Sequence, residues 1–174
     1  MPLAAALAAC GQSVTQPTPT PMSYLEARSG NDFDRAYLSM MVVHHQSAID
    51  ASNAVLAKNP DAQVKIWAQD IITAQQAEIA QMNSWLPTLG GVDANAQSVM
   101  KADMTDMVAQ IGASANPNRT YLSGMVMHHG MASQMASLAL EVSTDTRVLD
   151  LSKNMVQTQA AEMRDFKAWL SSRP

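Results

Sequence analysis

Residues 35–45 (Arg-Ala-Tyr-Leu-Ser-Met-Met-Val-Val-His-His) return as residues 119–129 (Arg-Thr-Tyr-Leu-Ser-Gly-Met-Val-Met-His-His), at an offset of 84. The four histidines of the chain all lie in these two stretches. The offset then continues without a gap, because Gln75, Ala77, Glu78, Trp85 and Leu86 recur as Gln159, Ala161, Glu162, Trp169 and Leu170. A constant offset across two consecutive periodic segments requires one supersecondary unit built twice.

That unit reads as a helical hairpin. Aromatics are 5% of the chain, and Gly and Pro sit outside the periodic segments, which favours helices over strands. The first helix is predicted from Asn31 or Asp32 to about Lys58, with Asn59-Pro60 as a cap followed by Pro at the next helical start. The second runs from about Asp61 to Leu86 and stops at Pro87. A shorter connecting helix, Asp93 to Ile111, carries Met100, Met104, Met107 and Ile111 on one stripe. Asn116-Pro117 opens the third long helix, to about Glu141, and Ser143-Thr144-Asp145 leads into the last, to about Ser171. Two hairpins whose apolar faces need covering make an all-α four-helix bundle with a pseudo-twofold axis. It is predicted to occupy residues 31–174, with repeats at 31–87 and 116–171.

The N-terminal stretch has a different character. Leu7-Ala8-Ala9-Cys10 ends a short apolar run and reads as the tail of a secretory signal with a bacterial lipobox, so Cys10 is the expected lipidation site. The positive segment that opens such signals is missing, so the true start is expected upstream. Residues 11–30, rich in Thr and Pro at first, read as a tether. One cysteine allows no internal disulfide. No apolar run approaches the roughly 20 residues of a membrane span, which leaves a lipid anchor as the expected membrane contact. A net charge of −4 with no basic patch excludes nucleic acid as an expected partner.

Heptad spacing selects the buried face of each helix. On the first helix it picks Tyr37, Met41, His44, Ala48, Ala51 and Val55, and on its copy Tyr121, Met125, His128, Ala132, Met135 and Ala139. Near the middle of the second and fourth helices the stripe turns polar, at Gln75 with Glu78 and at Gln159 with Glu162. A turn centred on Asn59-Pro60 sets His44 level with Gln75 and Met41 level with Glu78. The copy does the same for His128 with Gln159 and Met125 with Glu162. His45 and His129 lie about 100° round the helix, on a flanking stripe. There they complete the site sideways, serve a neighbouring one or face the bundle edge. A core carboxylate is costly unless it meets a cation, a proton or strong donors.

Imidazole with thioether is a soft-to-borderline donor set that favours copper, above all Cu(I), over magnesium or calcium. The candidate metal ligands are therefore His44, His45, His128, His129, Met41, Met125, Met135, Glu78 and Glu162. Gln75, Gln159, Tyr37 and Tyr121 are candidates to hydrogen-bond and orient them. Met40, Met127 and Met131 gather in the same stretches, whereas Met100, Met104 and Met107 have no histidine near them in sequence and read as core filler. Binding is expected to weaken as the pH falls below about 6.5, where histidine protonates.

These residues resemble the bacterial secreted family known as domain of unknown function 305, whose unit carries Met-x-x-His-His-x-x-Ala-x-x-Met-Ala, then Gln-x-x-Glu and a Trp. Met125, His128, His129, Ala132, Met135 and Ala136 match in full, while Ala51-Ser52 stands where the first copy should have Met-Ala. The resemblance implies a ferritin-like four-helix bundle, and some relatives bind copper in the envelope. The leading expectation is a lipid-anchored envelope protein that sequesters or relays copper. One rival is a ferritin-like metal-dependent oxidase. Di-iron bundles carry Glu-x-x-His, but Met41 and Val42 stand three residues before His44 and His45. The other rival is a structural or partner-binding bundle without metal.

Overall fold

The computed structural model describes residues 18–104 and 106–173. Among the described residues every regular element is helical: α1 (Pro21–Glu26), α2 (Gly30–Leu56), α3 (Ala62–Trp85), a 3-10 turn (Leu86–Leu89), α4 (Ala94–Asp103), α5 (Met107–Ala113), α6 (Pro117–Val142) and α7 (Thr146–Ser172). The pairs α2–α3 and α6–α7 form the two hairpins, and they meet where α2 packs on α6. The all-α bundle of two repeated hairpins is the fold of this protein.

Side-chain caps place most helix starts. Asn116 accepts from the Arg119 amide at 3.2 Å with Pro117 at the first helical position, and Asp145 accepts from the Arg147 amide at 2.9 Å. The first hairpin turn differs from expectation. Asn59 takes a left-handed φ of 52° that ends α2, and it is Asp61 that caps α3 by accepting from the Gln63 amide at 2.9 Å. Asn can adopt that conformation more easily than most residues, so it serves here as a terminator and not a cap. Likewise α2 begins after Ser29, two or three residues ahead of the expected Asn31 or Asp32 cap, and Ser29 makes no side-chain cap bond.

Two further expectations need correction. Of the predicted tether, residues 11–17 lie outside the described residues, as does Cys10, but Thr20 and Ser23 cap each other reciprocally and start α1. Its Leu25 is fully buried with Phe33 and Met41, so the stretch before α2 belongs to the core. The connecting helix is also two helices. Met104 turns extended at ψ 126°, and Asp106 restarts the chain by accepting from the Ala109 amide at 2.9 Å. A single straight helix could not serve both of its attachments. Met100 packs in an apolar cluster with Met41 and Met135, while Met107 and Ile111 pack in another with Tyr121 and Met125.

Those two clusters lie on either side of the histidines, which interrupt the apolar face of α2 and of α6 at mid-length. The repeated arginines fasten the hairpin ends in matching ways. Arg35 Nε donates to the Gly91 carbonyl at 3.1 Å, beyond the end of α3, and Arg119 Nη1 donates to the Leu170 carbonyl at 3.1 Å near the end of α7.

Candidate metal centre

Four imidazoles fill the middle of the bundle, and all are buried. His44 and His128 stack directly across α2 and α6, with ring centroids 3.6 Å apart and planes 32° from parallel. The pair is reciprocal: His44 Nε2 lies 3.1 Å from the His128 carbonyl, and His128 Nε2 lies 3.0 Å from the His44 carbonyl. The pseudo-twofold axis therefore passes between the two rings. Ser47 adds a bond on one side only, with its hydroxyl 3.0 Å from His128 Nε2 and donating to the His44 carbonyl at 2.7 Å.

This geometry fixes the tautomer. A carbonyl only accepts, so each Nε2 must carry the proton and each Nδ1 holds the lone pair. Nδ1 of His44, of His128, and of both flanking histidines is buried without a hydrogen-bond partner. Burial pushes the pKa of His44 well below the ordinary value of 6.5, and the facing His128, His45 and His129 push it further. His128 is lowered too, again by burial first and then by His129. These rings stay neutral in the fold well below pH 6.5, so protons do not begin to compete for them at the ordinary histidine range. For these two rings the competition from protons is displaced below the range expected from sequence.

His45 and His129 turn the other way, towards the glutamates. His45 Nε2 donates to Glu78 Oε2 at 2.7 Å. His129 Nε2 is equally close to Glu162 Oε2 at 2.7 Å, but it is not aligned as a hydrogen bond and counts only as an electrostatic contact. The expected level pairing of His44 with Gln75 and of Met41 with Glu78 gives way to this flanking pairing. Both glutamate side chains are 24% exposed, so they sit at the bundle edge and not in its core. The reason is spacing: α3 and α7 stand well apart, across Trp67 and Phe166, and leave a narrow cleft lined by Gln75, Glu78, Gln159 and Glu162. The carboxamide oxygens of Gln75 and Gln159 are buried there without partners.

Among the described residues no three His, Cys, Asp or Glu side chains converge into one ligand set. The predicted histidine and glutamate ligands thus fall into three groups: a central imidazole pair and two lateral His–Glu pairs. Thioethers border the centre. Met41 and Met135 are buried on one side of the histidine layer, and Met125 on the other with Ala51.

The tyrosines bracket the layer at its two ends. Tyr37 hydroxyl lies 2.9 Å from Ser152 Oγ, and Tyr121 hydroxyl lies 2.8 Å from Ser52 Oγ. The repeat places Ala68 opposite Ser152 and Ala136 opposite Ser52, so each copy supplies its serine from a different helix. Burial raises both phenols, which remain protonated, and either hydroxyl of each pair can donate to the other. Tyr37→Phe should cost about 1–3 kcal/mol by leaving the buried Ser152 hydroxyl alone, as read by denaturant unfolding.

Sequence reasoning missed Ser47, Ser52 and Ser152, whose roles depend on contacts across helices. It also missed a cavity of about 70 Å³ beside His128, into which Met104, Met107, Met127 and Met131 open.

Residues 8–86 and 88–170 each match the family described as Domain of unknown function (DUF305). The chain belongs to the DUF305 family. This DUF305 chain is similar to several solved structures. CopM in the Cu(I)-bound form is 26% identical, with a TM-score of 0.71 over 80% of this chain and 96% of that one. CopM in a silver-bound form is also 26% identical, with a TM-score of 0.72 over 84% and 98%. A DUF305 protein from Streptomyces coelicolor, named for its expected secretion, is 27% identical, with a TM-score of 0.72 over 80% and 93%. Among curated proteins, the uncharacterized protein L153 of Acanthamoeba polyphaga mimivirus is 43% identical over 53 residues. That match spans 35% of the relative's length and 30% of this chain. No helix among the described residues is long and apolar enough to cross a membrane.

Proposed function

We propose that this DUF305 protein binds copper as cargo, holding Cu(I) at the His44–His128 layer with thioether help, and sequesters or relays it in the cell envelope. One observation carries the reading. The imidazoles are buried and neutral, and their Nδ1 lone pairs have no partner, while their Nε2 positions are fixed by carbonyls. A lone pair stranded in an apolar core is unfavourable, and a soft cation relieves it without requiring a proton to leave. Met41, Met125 and Met135 lie in the bordering layers and supply donors of the same softness. Glu78 and Glu162, paired with His45 and His129, place negative charge at the edge of the layer and offset the charge of an incoming cation. The CopM likeness supports the metal class. The donor set suits cargo better than di-iron oxidase chemistry, which needs several carboxylates around one centre.

The test is titration with Cu(I) and Zn(II) of the wild type, His44→Ala and His128→Ala, with circular dichroism to follow helicity. His128→Ala should weaken Cu(I) binding more than His44→Ala, because Met135 belongs to its copy where Ala51 stands in the other. Both variants should remain helical. Wild-type binding no tighter than about micromolar, or affinity indifferent to both substitutions, removes the reading.

Export is part of the same proposal, with Cys10 acylated after cleavage behind Ala9. Mass spectrometry of protein from its native envelope should find a lipidated cysteine at the mature N-terminus. An intact, unmodified segment through Cys10 removes this part.

A further inference from the structure

The cavity beside His128 departs from the internal symmetry, and the departure has a chemical direction. Met127 and Met131 of α6 stand where α2 has Val43 and Ser47, so the second copy carries two thioethers that the first lacks. Met104 and Met107 come from the break between α4 and α5, and at the offset of 84 their counterparts are Thr20 and Ser23 at the start of α1, which carry no thioether. The four side chains and His128 border one space of about 70 Å³. It is large enough for a metal ion, and not for an organic ligand of ordinary size.

Gly124 makes the space available. Its counterpart in the first copy is Met40, which is fully buried. A Cβ at Gly124 would lie 3.0 Å from Met107 Sδ, tighter than most such contacts, so with any larger residue here that sulfur would have to shift away from α6 by a few tenths of an ångström. Ser47 Oγ stands 4.0 Å from Met104 Sδ and 3.0 Å from His128 Nε2, which ties the rim of the cavity to the central ring. His128 is 4% exposed and its Nδ1 has no partner, whereas Met127 at the outer rim is 68% exposed. The cavity thus runs from a solvent-facing thioether to a buried imidazole.

We infer that Met104, Met107, Met127 and Met131, together with His128, form a one-sided site for a soft monovalent cation, Cu(I) or Ag(I), through which the ion reaches the histidine layer. Thioethers are neutral and polarizable, and they discriminate against hard or strongly hydrated divalent ions. The ion enters without change of oxidation state and without displacing a proton. The inference rests on the proposed copper reading and adds to it an entrance, present in one copy only.

The probe is Ag(I), with Zn(II) as the borderline comparison, applied to the full chain. Variants Met104→Leu/Met107→Leu and Met127→Leu/Met131→Leu replace thioethers with side chains of similar volume. Gly124→Met restores the residue of the first copy. Each double variant should lose about tenfold or more in Ag(I) affinity and leave Zn(II) affinity and helicity unchanged. In wild-type protein with carbon-13 methionine methyls, Ag(I) should shift the resonances of these four methionines and leave buried Met100 in place. Gly124→Met should reproduce the loss by pushing Met107 aside. If His44→Ala weakens Ag(I) binding but neither double variant nor Gly124→Met does, the thioether entrance is overturned and the histidine reading stands. If the double variants weaken binding and His44→Ala does not, the entrance stands and the histidine reading falls. Silver that shifts none of the four methyl groups overturns the entrance by itself.

Discussion

Metal-free protein is expected to lose about 2 kcal/mol of folding stability as the pH falls from about 6.5 to about 5.5. The source is His44 and His128, both held well below the ordinary histidine pKa of 6.5, by burial first and then by neighbouring imidazoles. Below that value the unfolded chain takes up protons on both side chains, while the folded chain does not. Proton uptake by the unfolded state alone favours unfolding, so stability falls with falling pH and is fully present above the unfolded pKa. Each ring contributes about 1 kcal/mol over that first pH unit, and the loss continues for as long as the folded ring stays neutral. Urea unfolding in the presence of a chelator, at the two pH values, measures it. Stability that stays level would mean that the folded layer accepts protons, contrary to its burial. Cu(I) bound to the neutral rings should raise stability at both pH values, because it stabilises the folded state alone.

Phe166→Ala should be the most damaging single substitution near the site, at about 3–5 kcal/mol. Phe166 is fully buried, packs edge-on against Trp67 at 5.2 Å and lies 5.8 Å from the His129 ring. Truncation empties the space that holds α3 and α7 at their spacing, and it removes the apolar wall behind His129. Phe166→Met should cost much less, below about 1.5 kcal/mol, because it keeps most of the volume and Met adapts to irregular gaps. The first copy already has Met82 at the matching position, fully buried. Thermal or denaturant melts of the two variants decide it, and equal losses would show that shape at this position matters more than volume.

The bundle was legible because the evidence for it is redundant: one offset, two hairpins, and apolar stripes that agree in every long helix. Tyr37, Met41, His44, Ala48, Ala51 and Val55 are all fully buried as the heptad spacing requires. Periodicity along one helix could not show how far neighbouring helices stand apart, and this is where the glutamates were misplaced. Glu78 and Glu162 do sit on the correct stripe, but the stripe opens to solvent because bulky side chains separate α3 from α7. The same blindness hid the roles of Met104 and Met107. On a straight helix they read as filler, and only the break at Asp106, marked by no Pro or Gly, turns them towards His128. The flanking histidines were harder still, since the choice between a glutamate and a shared centre depends on a rotation that spacing leaves free.

The placement of α2 sets which parts of the molecule can open without the rest. It packs against α1, α3, α4, α5 and α6, and Tyr37 joins it to α7 through Ser152. No local detachment frees such a helix, so amides in its middle should exchange with solvent hydrogen only when the whole domain unfolds. The short helices α4 and α5 lie outside the hairpins and meet at a break, so they have fewer neighbours to lose than α2, although Ala96, Met100 and Ile111 anchor them in the core. Loosening of this outer strap would uncover His128 from the Met104 side while the stacked rings stay packed. The protein would then combine a slow, rigid interior with a fast, yielding margin, and a guest ion would exchange on the timescale of the margin.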